Sequence, residues 1–179
     1  SGGAFSWLIL EYFSNKKLSL LGLLSGVLSG LVTITPAAGF VNYLSAYIIS
    51  MIGGIACYFV VNSIKEKLRY NDTLDAFGIH GVGGVIGAIL IGVFQSHKVN
   101  KDILDGLIYT GHLHTIWIQC IAVVVVVVYS IIITFIIGKT LSIFMSLATT
   151  VEEDMTGLDQ LVHGEKAYFY GELNKLHKR

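Results

Sequence analysis

Phe77-Gly78-Ile79-His80-Gly81-Val82-Gly83-Gly84-Val85-Ile86-Gly87 sets one histidine in a glycine-rich, otherwise apolar stretch that continues to Phe94. Counted from Asp75, the stretch reaches the roughly 20 residues that a helix needs to cross the hydrocarbon core. An ionisable group inside hydrocarbon is costly, so it marks either a functional path or a paired polar contact. The glycines remove bulk beside it. They let a neighbouring helix approach, or leave room for a small solute. On α-helical spacing the face of His80 also carries Ala76, Gly83, Gly84 and Gly87. Neutral imidazole offers one donor and one acceptor to a small polar molecule. The other reading is a packed histidine bonded to a neighbouring helix.

The rest of the chain has the same character. It is 54% hydrophobic and 13% charged, whereas soluble domains average about 25% charged residues. Several apolar runs are as long as a bilayer is thick, and there is a single proline. The class is an all-α membrane protein, a transmembrane helix bundle. Net charge is zero, which gives no electrostatic case for nucleic acid. No acid–base pair or nucleophile with a base is visible, so an enzyme is not expected, nor is a cofactor. Cys57 and Cys120 lie in apolar runs without C-x-x-C spacing, and read as small packing residues. His112 and His114 bracket one residue, but no carboxylate or thiol is adjacent to make a metal site.

Spans are expected at about 18–35, 43–64, 75–94 and 115–145, after a partial helix at 2–13. Pro36 should end the first of these spans, and Asp72 and Asp75 should cap the third. The last is longer than a bilayer requires, so it should tilt or project into water. Its run Val123–Val128 would suit a strand in water, but a lone strand in lipid leaves its backbone groups unsatisfied. Thr35 and Ser25, in the 18–35 span, read as back-bonding hydroxyls. Gly22, Gly26 and Gly30 form two overlapping G-x-x-x-G spacings, and Gly83 and Gly87 a third; close helix contacts are expected there and at Gly84. Residues 1–147 form the membrane domain and 148–179 a polar tail. Starting at Ser1 and not at a methionine, with no basic n-region and a first apolar stretch too short to span, the chain reads as the C-terminal part of a longer protein.

Lysine and arginine orient the bundle. Lys16, Lys17, Lys65, Lys67, Arg69, Lys139 and the basic tail fall on one side if the helices alternate. The other side has only Lys98 and Lys101. The tail is therefore expected in the cytoplasm and the loop 95–114 outside.

Three ordered motifs carry a resemblance. Asp75-Ala76-Phe77-Gly78-Ile79-His80-Gly81-Val82-Gly83-Gly84 is similar to the ammonium transporter signature D-x-F-G-V-H-G-x-G-G. Ser25-Gly26 through Gly30-Leu31-Val32 to Thr35-Pro36-Ala37-Ala38-Gly39-Phe40 resembles that family's S-G-x-x-x-G-L-V-x-x-T-P-A-x-G-[FY]. Gly157-Leu158-Asp159, His163-Gly164-Glu165 and Ala167-Tyr168 resemble its G-L-D-x-x-x-H-G-E-x-A-Y tail, which favours the Amt/Mep branch over the Rh branch. The resemblance implies eleven helices in two inverted halves, of which this chain is most of the second. It also implies a homotrimer in the plasma membrane with one pore per subunit. Ammonium would be deprotonated at an outer site, and ammonia would pass two facing histidines. His80 matches the second of these and Thr35 a pore-side threonine. Ala76, on the face of His80, is grouped with them. The first histidine, the outer gate and the recruiting acid would lie upstream of Ser1, so this chain alone is not expected to transport. A tail built on Gly157, Asp159, His163, Gly164, Glu165 and Tyr168 would couple subunits and offer a surface to a PII-type regulator. An ammonium-sensing module of the same fold is the alternative.

Overall fold

The structure is a computed structural model, which describes residues 2–162 and residue 164. Residues up to Val128 form one compact unit, and those from Tyr129 onward a second. Every regular element among the described residues is helical.

Small residues bring the first three long helices together. α1 (Gly2–Asn15), α2 (Leu20–Ile34) and α3 (Tyr43–Phe59) all pack on one another. A Cβ placed on Gly3 would lie 2.5 Å from the Gly30 backbone, and one on Gly26 would lie 2.6 Å from the Trp7 Cβ. Gly54 faces Ser6 and the Gly3 backbone in the same way. At such separations only glycine fits, and the gain is close backbone packing where hydrocarbon gives no hydrophobic drive between helices.

Hydroxyls fill the interior. Ser29 and Thr33 are fully buried, and Ser6, Ser45 and Ser50 nearly so. The two buried α2 hydroxyls are satisfied one turn back: Ser29 Oγ donates to the Ser25 carbonyl and Thr33 Oγ1 to the Ser29 carbonyl, both at 2.7 Å. Ser6 Oγ donates across to the Met51 carbonyl at 3.0 Å. Large apolar side chains such as Leu20, Leu21, Leu31 and Tyr43 point outward. Polar groups within and leucines without is the arrangement expected where the solvent is lipid.

The expected spans hold closely. Among the described residues, four helices are long and apolar enough to cross a membrane: Leu20–Ala37, Tyr43–Leu68, Phe77–Phe94 and His114–Phe144. Pro36 does not stop the first outright, because a 3-10 turn over Thr35–Ala37 carries the chain one step further. The second continues past α3 through a π-helical turn, Val60–Ile64, into the short α4 (Lys65–Leu68). The third opens with another π-helical turn, Phe77–Gly81, before α5 (Val82–Phe94).

The connection after α5 folds over that end of the bundle. Gln95 Nε2 donates to the Leu104 carbonyl at 2.7 Å, and Ser96 N–H donates to the Phe40 carbonyl at 2.9 Å. The short α6 (Leu107–Thr110) comes next, and Asn42 Nδ2 donates to the Tyr109 hydroxyl at 3.0 Å. The 38–42 and 95–113 connections thus share one end, as alternating spans require. α7 (His114–Phe144) has 31 residues, about 46 Å at 1.5 Å per residue, against roughly 30 Å of hydrocarbon. Thr115 is its buried residue. In the second unit, α8 (Val151–Thr156) starts with a capping box between Thr150 and Glu153, and α9 (Leu158–Val162) comes after Gly157.

Candidate functional site

The stretch around His80 is held from below by acidic residues. One Asp72 carboxylate oxygen accepts from Ala76 N–H at 2.9 Å, and the other from Phe77 N–H and Gly78 N–H at 3.0 and 3.2 Å. Asp72 is therefore the cap. The expected cap at Asp75 is not formed: Asp75 has φ +55°, in the left-handed region, and its carboxylate pairs with Lys65 Nζ at 2.6 Å. The reason is geometric. A residue turned left-handed just before a helix cannot aim its side chain at the first N–H groups, whereas one three residues earlier loops back to them.

The π turn after Asp75 carries His80. Its side chain is exposed, as are those of Ala76 and Phe77, while Gly78 and Ile79 are buried. Among the described residues, no neighbouring helix buries the imidazole. Behind it, Cys57 Sγ lies 3.7 Å from the Ile79 carbonyl oxygen. Both cysteines are free thiols, Cys57 buried and Cys120 half-buried.

The glycines expected on the face of His80 divide between two directions. Gly83 and Gly87 are buried against Thr33 of α2. A Cβ on Gly84 would meet nothing within 4 Å, so the close contact expected at Gly84 is not made among the described residues. A π turn takes more residues per turn than an α turn, so α-helical spacing extrapolated across Phe77–Gly81 misplaces the residues of α5. Gly84 instead borders an apolar groove of about 290 Å³, with Gly81 and Ala88 on its own side and Gln119, Ala122 and Val126 of α7 opposite. His80 does not line it.

Thr35 is exposed, and its hydroxyl donates to the Leu31 carbonyl at 2.7 Å, the back-bonding expected of it. Its neighbour Pro36 packs at Gly87, seven residues beyond His80 and so roughly 10 Å along the helix axis. Gly22 is covered by the Glu11 carboxylate, Gly26 by Trp7 and Ala4, and Gly30 by Gly3 and Ser50.

Glu11 was not singled out by the sequence. It is 8% exposed, and accepts from Ser19 Oγ at 2.6 Å and Ser19 N–H at 3.3 Å, while Ser19 Oγ caps α2 by accepting from Gly22 N–H. The only sequence signal was a carboxylate inside an apolar helix. Between α5 and the start of α7, His97, His112 and His114 are exposed, and among the described residues no group of three His, Cys, Asp or Glu side chains is placed to hold a metal ion. Of the tail residues, Gly157 (φ +90°) and Gly164 (φ +68°) bend the chain. His163, Glu165 and Tyr168 lie outside the described residues, as does the side chain of Asp159.

Residues 1–168 match the Ammonium Transporter Family. The chain belongs to the ammonium transporter family. It is 46% identical over 168 residues to an ammonium transporter of Bacillus subtilis, covering 94% of this chain and 41% of that protein. With an ammonium transporter of Aquifex aeolicus the identity is 41%, over 94% of this chain and 39% of the relative. The crystal structure of Saccharomyces cerevisiae Mep2 superposes with a TM-score of 0.70 at 36% identity, over 75% of this chain and 31% of Mep2. A solved sensor Amt protein superposes with a TM-score of 0.76 at 29% identity, over 90% and 38% of the two chains. The 179 residues thus span about two-fifths of the length of the curated relatives they match.

Proposed function

We propose that these residues form the second part of an ammonium transporter, in which His80 lines the path of ammonia. The observation that carries the reading is an imidazole standing exposed in the third apolar span, on a turn that capping and packing hold from behind. In hydrocarbon an exposed imidazole is costly, so the His80 face is closed by other protein or lines a water-sized path. The relatives, named as ammonium transporters, support ammonium as the solute. Neutral ammonia needs only a few hydrogen-bond partners at mid-bilayer, whereas alkali ions need dense oxygen coordination. A histidine, a threonine and glycines supply the first and not the second.

By the same reading, the remaining length contributes the facing histidine, the polypeptide assembles as a homotrimer in the plasma membrane with its tail in the cytoplasm, the tail couples the subunits, and that face receives a PII-type regulator. The deciding experiment is His80→Ala in a polypeptide of the relatives' length, with methylammonium uptake and discrimination against potassium measured per folded protein. Loss of uptake or of selectivity is expected. Unchanged rate and selectivity would remove His80 from the path. An ammonium-dependent signal with no uptake in the unsubstituted protein would favour the sensor reading, which the likeness to the sensor Amt structure supports.

A further inference from the structure

Lys65 and Asp75 meet at 2.6 Å across the connection between the second and third spans. Lys65 comes directly after the π turn Val60–Ile64, and Asp75 stands two residues before the π turn Phe77–Gly81. The two π turns pack on each other. Gly78 is pressed against Val61, where a Cβ would come within 2.8 Å of the valine Cγ2. π turns are rare and concentrate where function needs a local departure from the α-helix. Two of them in contact, joined at their open end by one ion pair, call for an explanation.

Asp75 shows what the pair does. Its φ of +55° is an uncommon conformation outside glycine, although aspartate tolerates it. Its carbonyl accepts from Ile79 N–H at 2.9 Å, so the residue turned left-handed also opens the turn that bears His80. Rotating Asp75 out of that conformation would move the Ile79 amide and, with it, the imidazole one residue on. The Lys65 ammonium fixes the Asp75 side chain, and therefore the backbone from which the turn starts. Both side chains are about a quarter exposed. A pair that open adds little to stability, so its contribution lies in setting position.

We propose that Lys65 and Asp75 are positioning residues for His80: together they hold the register of the π turn that presents the imidazole. This rests on the reading of His80 as a solute-facing residue, but the geometry it invokes can be measured without transport. The variants are Lys65→Met, Asp75→Asn, Lys65→Arg, and the exchange Lys65→Asp with Asp75→Lys, made in a polypeptide of the relatives' length. Lysine at position 75 has a precedent in this chain, since Lys16 adopts φ +55°. One readout is the ¹⁵N resonance of the His80 imidazole in bilayers; the other is methylammonium uptake.

Lys65→Met and Asp75→Asn should each displace the resonance and lower uptake about ten-fold, the order expected for coupled neighbours. Lys65→Arg should leave the resonance in place and uptake within about three-fold of the parent, and the exchange should restore both to that level. Single variants that leave the resonance in place would overturn the proposal, as would an exchange no better than the singles. If the singles fail to fold, a folded exchange variant with the parental resonance supports it, and an exchange that also fails to fold overturns it, because the pair would then serve folding alone. If the parent carries no methylammonium, the transport reading falls and the resonance alone decides this one.

Discussion

The Thr115 hydroxyl donates to the Gly92 carbonyl at 2.7 Å, and Thr115 is buried where α7 begins. That bond joins the start of the last span to the end of α5. Beside it, a Cβ on Gly92 would come within 2.8 Å of the Ile116 backbone. Thr115→Val removes only the bond, for which interhelical hydrogen bonds in membranes average about 0.6 kcal/mol, with a maximum near 1.7. Gly92→Val forces two backbones apart, and overpacking of that kind costs about 1–3 kcal/mol. Unfolding in graded denaturing detergent should therefore rank Gly92→Val as the more damaging. The reverse order would mean that the hydrogen bond, not the close approach, holds this junction.

Gly84 and Gly87 lie one turn apart and should respond in opposite ways. A Cβ on Gly87 would run into the Thr33 carbonyl oxygen, a backbone atom that side-chain motion cannot move aside. At Gly84 nothing stands within 4 Å, and alanine favours the helix over glycine by about 0.5–1 kcal/mol. Gly87→Ala should lower thermal stability in detergent, and Gly84→Ala should leave it unchanged or raise it. A loss at Gly84 as large as that at Gly87 would show that another segment closes on Gly84 in the assembled protein.

Gly83 and Gly87 show how much the sequence made legible. Span positions come from continuous apolar length, so Tyr43, Phe94 and His114 fall within a residue or two of where hydropathy puts them. Orientation around a helix is readable only if the helical period is known. The π turn at Phe77–Gly81 has no signal in composition, so spacing placed Gly83 and Gly87 with His80, while the structure turns them to Thr33. Asp72 and Asp75 are a further case. Both precede the span, and residue type alone suits either to capping. The left-handed turn that sends Asp75 to Lys65 depends on α4 lying opposite, a tertiary fact. His80 was legible as a candidate because an ionisable residue in hydrocarbon is rare. Its exposure was not, since that depends on which helices cover it.

Sidedness can be tested independently of transport. Lys16, Lys17 and Arg69 sit on connections, and Lys65 and Lys67 at the helix end beside one, that alternate with the end shared by 38–42 and 95–113. Basic residues favour the cytoplasmic side. Met155→Cys should resist an impermeant thiol reagent added outside intact cells, and Lys98→Cys should react with it, each in a background where Cys57 and Cys120 are alanine. Labelling of residue 155 and not 98 would invert the topology.

Gly157 stands between α8 and α9 with φ +90° and ψ 130°, closing one helix and opening the next. Its N–H donates to the Glu153 carbonyl at 3.0 Å, and its own carbonyl accepts from Gln160 and Leu161 N–H groups at 3.2 Å. A Cβ there would meet nothing within 4 Å, so any cost of substitution comes from the backbone alone, about 1–3 kcal/mol for a residue held in so sparsely populated a region. That strain would be confined to the join of the two short helices. If the tail couples subunits, as proposed, Gly157→Asp should reduce methylammonium uptake severalfold while native mass spectrometry still finds the trimer, and deletion from Thr156 onward should do the same. A tail that served only assembly would lose the trimer together with uptake. Full uptake after the deletion would show that the α8–α9 bend contributes nothing to the path.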